Sequence, residues 1–265
     1  MIYPWRGVSG VMEFEELFNE AEDFYQQGDY EKAIEYFKKA YSADGPLDCL
    51  NYIGCCFIKL KDYNAATEVF EELIKTAPEW ERPVFNLGRV HLQTGRLKDA
   101  LESFEKAISI NPNNEDVYYY KGVYYFKIGD YIASKECYEK SITINEEQSE
   151  THLNLGMCFY RLKMFEKALD EFELAYRYDN DCIDAIYDKG ITLISMGRYE
   201  EALNNLLIVN KINNTDVEAM LDIAHCYYKI KDYENANVWV SKVLFAEPKH
   251  NLANKLFNKL KQQIQ

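Results

Sequence analysis

The chain has 265 residues, 48% of them hydrophobic, and its 44 acidic and 30 basic side chains leave a net charge of −14. A surface this acidic repels phosphate groups, so we expect no nucleic-acid partner. No run of about 18 apolar residues occurs, so no membrane partner is expected either. Seven cysteines without a CxxC pair predict no metal site and favour a reduced, cytoplasmic protein.

Residues 1–13 precede any periodic pattern. They contain Pro4, Gly7 and Gly10 and lack the apolar run of about 7 to 15 residues that a signal peptide needs. The sequence therefore predicts a flexible N-terminal extension over residues 1–13.

A repeating unit is clearest in residues 81–114. One apolar stripe at helical spacing runs from Val84 to His91, and a second runs from Ala100 to Ala107. Turn-forming residues separate them at 93–96 and follow the second stripe at 111–114. The unit is therefore predicted to be a helical hairpin. Its helices are called helix A and helix B, and its positions are numbered 1 to 34 from Glu81.

The same pattern recurs along the chain at spacings of 33 or 34 residues. Seven blocks begin at Phe14, Leu47, Glu81, Glu115, Ser149, Ile183 and Val217. Residues 14–250 are thus predicted to form seven repeats. Residues 251–265 continue as a further helix A with no helix B after it, which predicts a C-terminal capping helix.

Three positions define the predicted packing within each hairpin. Position 8 is always glycine or alanine, position 20 is alanine or serine, and position 24 is large, as in Gly54, Ala66 and Phe70. We expect position 8 on helix A to face position 20 on helix B, so that small residues meet small ones and large residues meet large ones.

These positions and the 34-residue period resemble the tetratricopeptide repeat (TPR) family. The resemblance covers residues 14–250 and, through the capping helix, reaches the end of the chain. It implies an all-α fold, a right-handed superhelical α-solenoid of helix-turn-helix hairpins. It also implies that the helices A line a concave groove that accepts extended or helical peptide segments.

The predicted groove face of helix A carries aromatic, amide and basic side chains. Tyrosine combines an apolar face with a hydrogen-bonding tip, and asparagine can both donate to and accept from an extended peptide backbone. Ten residues are predicted to bind the peptide: Arg82, Phe85, Asn86, Arg89, Tyr119, Tyr120, Lys127, Asn154, Tyr160 and Arg161.

Two arginines in repeat 3, Arg82 and Arg89, favour a ligand with at least one acidic group, since a guanidinium suits carboxylates. Other interpretations stay open. About half of the groove aromatics are expected to pack between neighbouring helices A instead. The acids at position 2 and the bases at position 13 also complement the helix dipoles.

No catalytic or cofactor-binding constellation is visible, so we expect no cofactor and no enzymatic activity.

Some members of the family clamp an acidic C-terminal tail with lysine, asparagine and arginine on successive repeats. Of the matching positions here, only Arg82 has suitable character, so an adaptor of that type is disfavoured.

The sequence therefore predicts a non-catalytic scaffold or adaptor that binds a protein or peptide in the concave groove. The alternative is an assembly module that associates with itself or other subunits through the convex face and ends of repeats 6 and 7. There the outer face carries Leu207, Ile208, Val238 and Phe245. An enzyme regulator or enzyme is the third hypothesis.

Overall fold

A computed structural model of the protein describes residues 8–264 and the side chains of residues 14–263. Within this range the regular structure is entirely α-helical, which confirms the predicted all-α fold class. The helices are α1 (Val8–Gln26), α2 (Tyr30–Ser42), α3 (Asp48–Lys59), α4 (Tyr63–Thr76), α5 (Glu81–Gln93), α6 (Leu97–Ile110), α7 (Glu115–Lys127), α8 (Tyr131–Ile144), α9 (Ser149–Arg161), α10 (Phe165–Tyr178), α11 (Ile183–Ser195), α12 (Tyr199–Ile212), α13 (Val217–Lys229), α14 (Tyr233–Ala246) and α15 (Asn251–Ile264).

The odd-numbered helices α1 to α13 are the helices A, the even-numbered helices are the helices B, and α15 follows the last hairpin. At the N-terminus, α1 already includes Val8, so part of the segment predicted to be flexible is helical. Residues 1–7 of that predicted extension lie outside the described residues.

Two compact units make up the chain, unit 1 ending at Tyr124 and unit 2 beginning at Tyr125, with the boundary inside α7. Consecutive helices pack against each other from α1 to α6 in unit 1 and from α8 to α15 in unit 2. Helices A of neighbouring hairpins also touch, α3 with α5 in unit 1 and α9 with α11 and α11 with α13 in unit 2. Side chains on these inner faces can therefore combine into shared sites.

Aspartates fix the start of several helices B. The side chains of Asp29, Asp62, Asp130 and Asp232 each accept a hydrogen bond from the backbone N–H three residues later, at 3.0–3.3 Å. Such a bond satisfies one of the N–H groups that the first turn of a helix leaves unpaired. The caps define where each hairpin turns back.

The packing within the hairpins differs from the expectation that small residues meet small ones. A Cβ atom added at Gly54 would lie 2.5 Å from the ring of Phe70, and one added at Gly156 would lie 2.6 Å from the ring of Phe172. Position 8 therefore faces the large position 24. A glycine on helix A thus makes room for an aromatic ring on helix B, and at Gly190 the backbone oxygen of Ala202, at position 20, also lies 3.7 Å from the added Cβ.

One residue in several of the turns that follow helix A adopts a left-handed backbone conformation. Gly28, Gly95, Gly129 and Gly197 have φ between 77° and 82°. The equivalent positions of repeats 2, 5 and 7 are Lys61, Lys163 and Lys231, with φ between 60° and 65°. A side chain in this region clashes with its own backbone, so these three lysines carry strain that glycine avoids.

Replacing Lys163 with glycine is expected to raise the free energy of unfolding by about 1 kcal/mol, because the strain is larger than the extra entropy that glycine gives the unfolded chain. Urea unfolding measures the change. Lys163→Ala is the matched control, since alanine removes the charge and retains the Cβ. A gain as large for alanine as for glycine would contradict the backbone explanation.

Candidate functional site

Unit 1 contains a cavity of about 380 Å³ on its helix A face, called the unit 1 cavity. Residues from α3, α5, α7 and the turn before α7 surround it. They are Asn51, Tyr52, Glu81, Arg82, Phe85, Asn86, Arg89, Asn111, Asn113, Asn114, Glu115 and Asp116. The cavity is thus lined by several amides and by charges of both signs.

A chain of hydrogen bonds crosses this cavity from α3 to α5. Asn86 Nδ2 donates to Asn51 Oδ1 at 3.0 Å, and Arg89 Nη1 donates to Asn86 Oδ1 at 2.9 Å. Both asparagines are buried. Buried amides lose free energy when a partner is missing, so this chain holds the Arg89 guanidinium in one place.

Two aromatic rings support the same guanidinium. Its central carbon lies 4.9 Å from the centre of the Tyr120 ring and 5.7 Å from that of the Phe85 ring. The two rings are 5.4 Å apart in an edge-to-face arrangement. A cation over aromatic faces is favourable, so α5 and α7 together orient Arg89.

No carboxylate of the described residues forms an ion pair with Arg89. In the part of the chain that the structure describes, Arg89 forms no ion pair, and its buried Nε atom has no hydrogen-bond partner. Arg82 differs, because it lies 3.7 Å from Asp48 at the exposed edge of the cavity. The Glu81 carboxylate is also occupied, since Asn111 and Asn114 donate to it. Arg89 is therefore the cation still able to receive an anion.

The neighbourhood of Arg89 includes the thiol of the half-buried Cys55. Burial raises the pKa of Cys55, while the nearby Arg89 charge opposes that rise in part. Burial also raises the pKa of Tyr52, to about 12, helped by a hydrogen bond from its hydroxyl to Glu22. Both groups are therefore neutral near pH 7, which leaves the arginines as the positive charges of this site.

The predicted peptide-binding residues of unit 1 differ in their exposure. Arg82 is exposed, Arg89 and Tyr120 are half-buried, and Phe85 and Asn86 line the cavity although mostly buried. Tyr119 is buried, as Phe85 and Asn86 are, and its ring lies 5.1 Å from that of Tyr120. Its role as a peptide contact stays a prediction.

Unit 2 has its own cavity of about 340 Å³ between α9 and α11, called the unit 2 cavity. The predicted residues Tyr160 and Arg161 line it. The other two predicted residues of unit 2, Lys127 and Asn154, are exposed and half-buried respectively, and neither lines this cavity.

Two acidic residues of unit 2 were not predicted. Asp188 lines the unit 2 cavity, and Asp222 accepts a hydrogen bond from Tyr187 Oη at 2.9 Å. Burial raises the pKa of each carboxyl to about 6. The signal was position 6, which reads Asn19, Tyr52, Asn86, Tyr120, Asn154, Asp188 and Asp222. Its change to aspartate in repeats 6 and 7 marks a change in the chemistry of the helix A face.

Apolar side chains are exposed elsewhere in repeats 6 and 7. Phe245 is 91% exposed, and Val238 on the same helix is 48% exposed. On α12, Ile208 and Ile212 are exposed, whereas Leu207 packs against the core. Over the residues described, no helix is long and apolar enough to cross a bilayer.

Models of a known protein family match most of these hairpins. Models described as tetratricopeptide repeat match residues 14–45, 47–79, 115–148 and 149–182. A further model, described as TPR repeat, matches residues 88–129.

Individual relatives are more distant. Heat shock protein STI1 of Saccharomyces cerevisiae is 33% identical over 89 residues, which make up 30% of this chain and 15% of that protein. Among solved structures, YrrB is described as a TPR protein with an unusual peptide-binding site. It has a TM-score of 0.66 at 23% identity and covers 71% of this chain and 97% of its own. PilF of Pseudomonas aeruginosa has a TM-score of 0.69 at 15% identity, with coverages of 82% and 97%. At these identities the structural similarity concerns the fold.

Proposed function

Because the chain belongs to the tetratricopeptide repeat family, we propose that it is a non-catalytic adaptor that holds a peptide segment of a partner protein against its helices A. The unit 1 cavity is the main site, and an acidic group of the peptide binds Arg89. A peptide-binding site is described for YrrB, whose fold the chain shares.

The observation that carries this proposal is the state of Arg89. Its guanidinium is oriented by Asn86 and by the Tyr120 ring, yet its Nε has no partner. A preorganised arginine loses little conformational freedom when it binds, and its planar donors match a carboxylate. An acidic side chain or a C-terminal carboxylate supplies the negative charge that this guanidinium lacks among the described residues.

The amides around the cavity suit the rest of an extended peptide. Asn51 and Asn86 lie on α3 and α5, and Asn111, Asn113 and Asn114 lie in the turn before α7. Each asparagine side chain can donate and accept, and an extended backbone leaves both kinds of group unpaired. The aromatic edges of Tyr52 and Phe85 add apolar surface for a neighbouring side chain.

Selection from a random peptide library displayed on phage tests this function. The immobilised full chain is expected to enrich peptides that carry an acidic residue beside an aliphatic or aromatic one. Tyr120→Ala should abolish the enrichment, since it removes the ring under Arg89. Ile208→Ala, on the exposed face of α12, should retain it.

Two results would contradict the proposal. One is the absence of any enriched sequence with the folded wild-type chain. The other is an identical set of peptides from the wild-type and Tyr120→Ala chains, with circular dichroism showing both to be folded. Tyr119→Ala is unsuitable here, because Tyr119 is buried and its loss would disturb the core.

Self-association through repeats 6 and 7 is the second candidate, supported by the exposure of Phe245 and Val238. These residues are seven positions apart on α14 and so share one helix face. Exposed apolar surface of this kind favours association. Light scattering should show a mass that increases with protein concentration, and Phe245→Lys should return it to that of one chain. A monomeric mass at all concentrations would exclude this candidate.

A further inference from the structure

The unit 2 cavity has walls suited to a long cationic side chain. Tyr160 and Tyr187 line it together with Met157 and Ile191. The methylene stem of a lysine or arginine packs well against apolar walls of this kind, and its charged head is attracted to aromatic faces.

Both tyrosines are held in place from behind. Tyr160 Oη lies 3.1 Å from Ser195 Oγ, and Tyr187 Oη donates to Asp222 Oδ2 at 2.9 Å. The Tyr160 ring also contacts Phe165, with 5.7 Å between ring centres. The walls are therefore formed before any ligand arrives, which lowers the entropy lost on binding.

Asp188 provides a negative charge at this cavity. Across the residues that the structure describes, no hydrogen bond engages its carboxylate, and its backbone oxygen accepts from Thr192 Oγ1. Burial raises the pKa of the carboxyl to about 6, the negative charge of Asp184 adds to the rise, and Arg161 opposes it. Ionising this half-buried carboxyl therefore costs free energy, and a bound cation would reduce that cost.

The surrounding charges also favour a cation. Asp184 on α11 and Arg161 on α9 act on Asp188 with opposite sign. The negative charges of Glu218 on α13 and of Asp216 at its N-cap act on Asp222. Opposite charges concentrate a cationic group at such a site and orient its approach.

We propose that the unit 2 cavity binds the basic side chain of a lysine or arginine in a peptide, with Asp188 as its counter-ion. The inference extends the proposed function, because it names the side chain that a second part of the partner presents. It concerns unit 2 alone and is tested with a probe that has no carboxylate.

The test uses methyl NMR spectra of the full chain labelled at methionine and isoleucine methyl groups. Nα-acetyl-arginine methylamide is the probe, and its citrulline analogue is the neutral control of nearly equal shape. The Met157 and Ile191 signals are expected to shift saturably with the arginine probe and at least fivefold more weakly with citrulline. Asp188→Asn should weaken the arginine response at least fivefold, and Asp170→Asn, on an exposed part of α10, should not change it.

Lowering the pH provides a second readout. The probe needs an ionised Asp188, so its affinity should be about tenfold lower at pH 5 than at pH 7, given a pKa of about 6 in the free protein. Asp222 titrates near the same pH, because burial raises its pKa to about 6 as well. The Asp188→Asn variant therefore separates the effects of the two aspartates. Any pH dependence of the probe affinity that remains in this variant comes from groups other than Asp188.

Equal shifts with arginine and citrulline, an unchanged response in Asp188→Asn, or no shift at saturating probe would each overturn this inference. The outcome is separable from that of the proposed function. Arginine-dependent shifts combined with a failed peptide selection at unit 1 would overturn the proposed function and leave the unit 2 site standing. A successful peptide selection combined with no arginine-dependent shifts would overturn the unit 2 site and support the unit 1 site.

Discussion

Arg89→Glu is expected to weaken binding of an acidic peptide by about 100-fold or more. Removing a hydrogen bond to a charged group costs about 1.5–3 kcal/mol, each 1.4 kcal/mol is a factor of ten, and the reversed charge adds repulsion. Fluorescence anisotropy with the most enriched acidic peptide of the display selection measures the change.

Two controls separate charge from packing and location. Arg89→Met retains the apolar stem over the Tyr120 ring and loses the charge, so it should weaken binding about tenfold or more. Lys229→Glu reverses an exposed charge in unit 2, near Tyr199, and should change the affinity less than threefold. Equal losses in Arg89→Glu and Lys229→Glu would show that Arg89 is not the anchor and that only the overall charge matters.

Gly156→Ala is expected to reduce the free energy of unfolding by about 1 to 3 kcal/mol, the usual cost of overpacking a buried site. The new Cβ would lie 2.6 Å from Phe172 Cε1 and 2.7 Å from Cδ1. The Phe172 ring is buried, so either the ring or the helices must shift to admit the new methyl group. Urea unfolding followed by circular dichroism measures the loss.

Gly190→Ala is the matched control, because there the Cβ would meet Leu206 at 3.0 Å, and a leucine side chain adjusts more easily than a ring. The combination of Gly156→Ala with Phe172→Leu should recover part of the loss, which a double-mutant cycle detects. A cost for Gly156→Ala no greater than that for Gly190→Ala would contradict the account of position 8 facing position 24.

The fold could be predicted from the sequence because each hairpin packs mainly on its neighbours, so one pattern recurs every 34 residues and reveals the whole architecture. Which residues touch was harder to predict. Periodicity shows that positions 8, 20 and 24 lie inside, but it does not show that Gly54 faces Phe70. That pairing depends on the relative rotation of the two helices, which spacing along one chain does not record.

The candidate site was only partly predictable for a similar reason. Composition identified an aromatic and amide face that included Arg89. It did not show that Tyr119 is buried or that Asn51 bonds Asn86, because both depend on contacts between helices of different repeats. Asp188 was missed because acids on a helix surface are usually solvated, and only the neighbouring helix makes this one half-buried.

Arg89 takes its surroundings from three successive blocks, with Asn51 on α3, its own position on α5 and Tyr120 on α7. Inserting a further 34-residue block after the block of Asn51 or after that of Arg89 would preserve the stacking of hairpins and would still separate these three side chains. Recombination within the gene could therefore create or destroy this site without altering a single codon. A search for chains that share the site should compare the order of the blocks as well as their sequences.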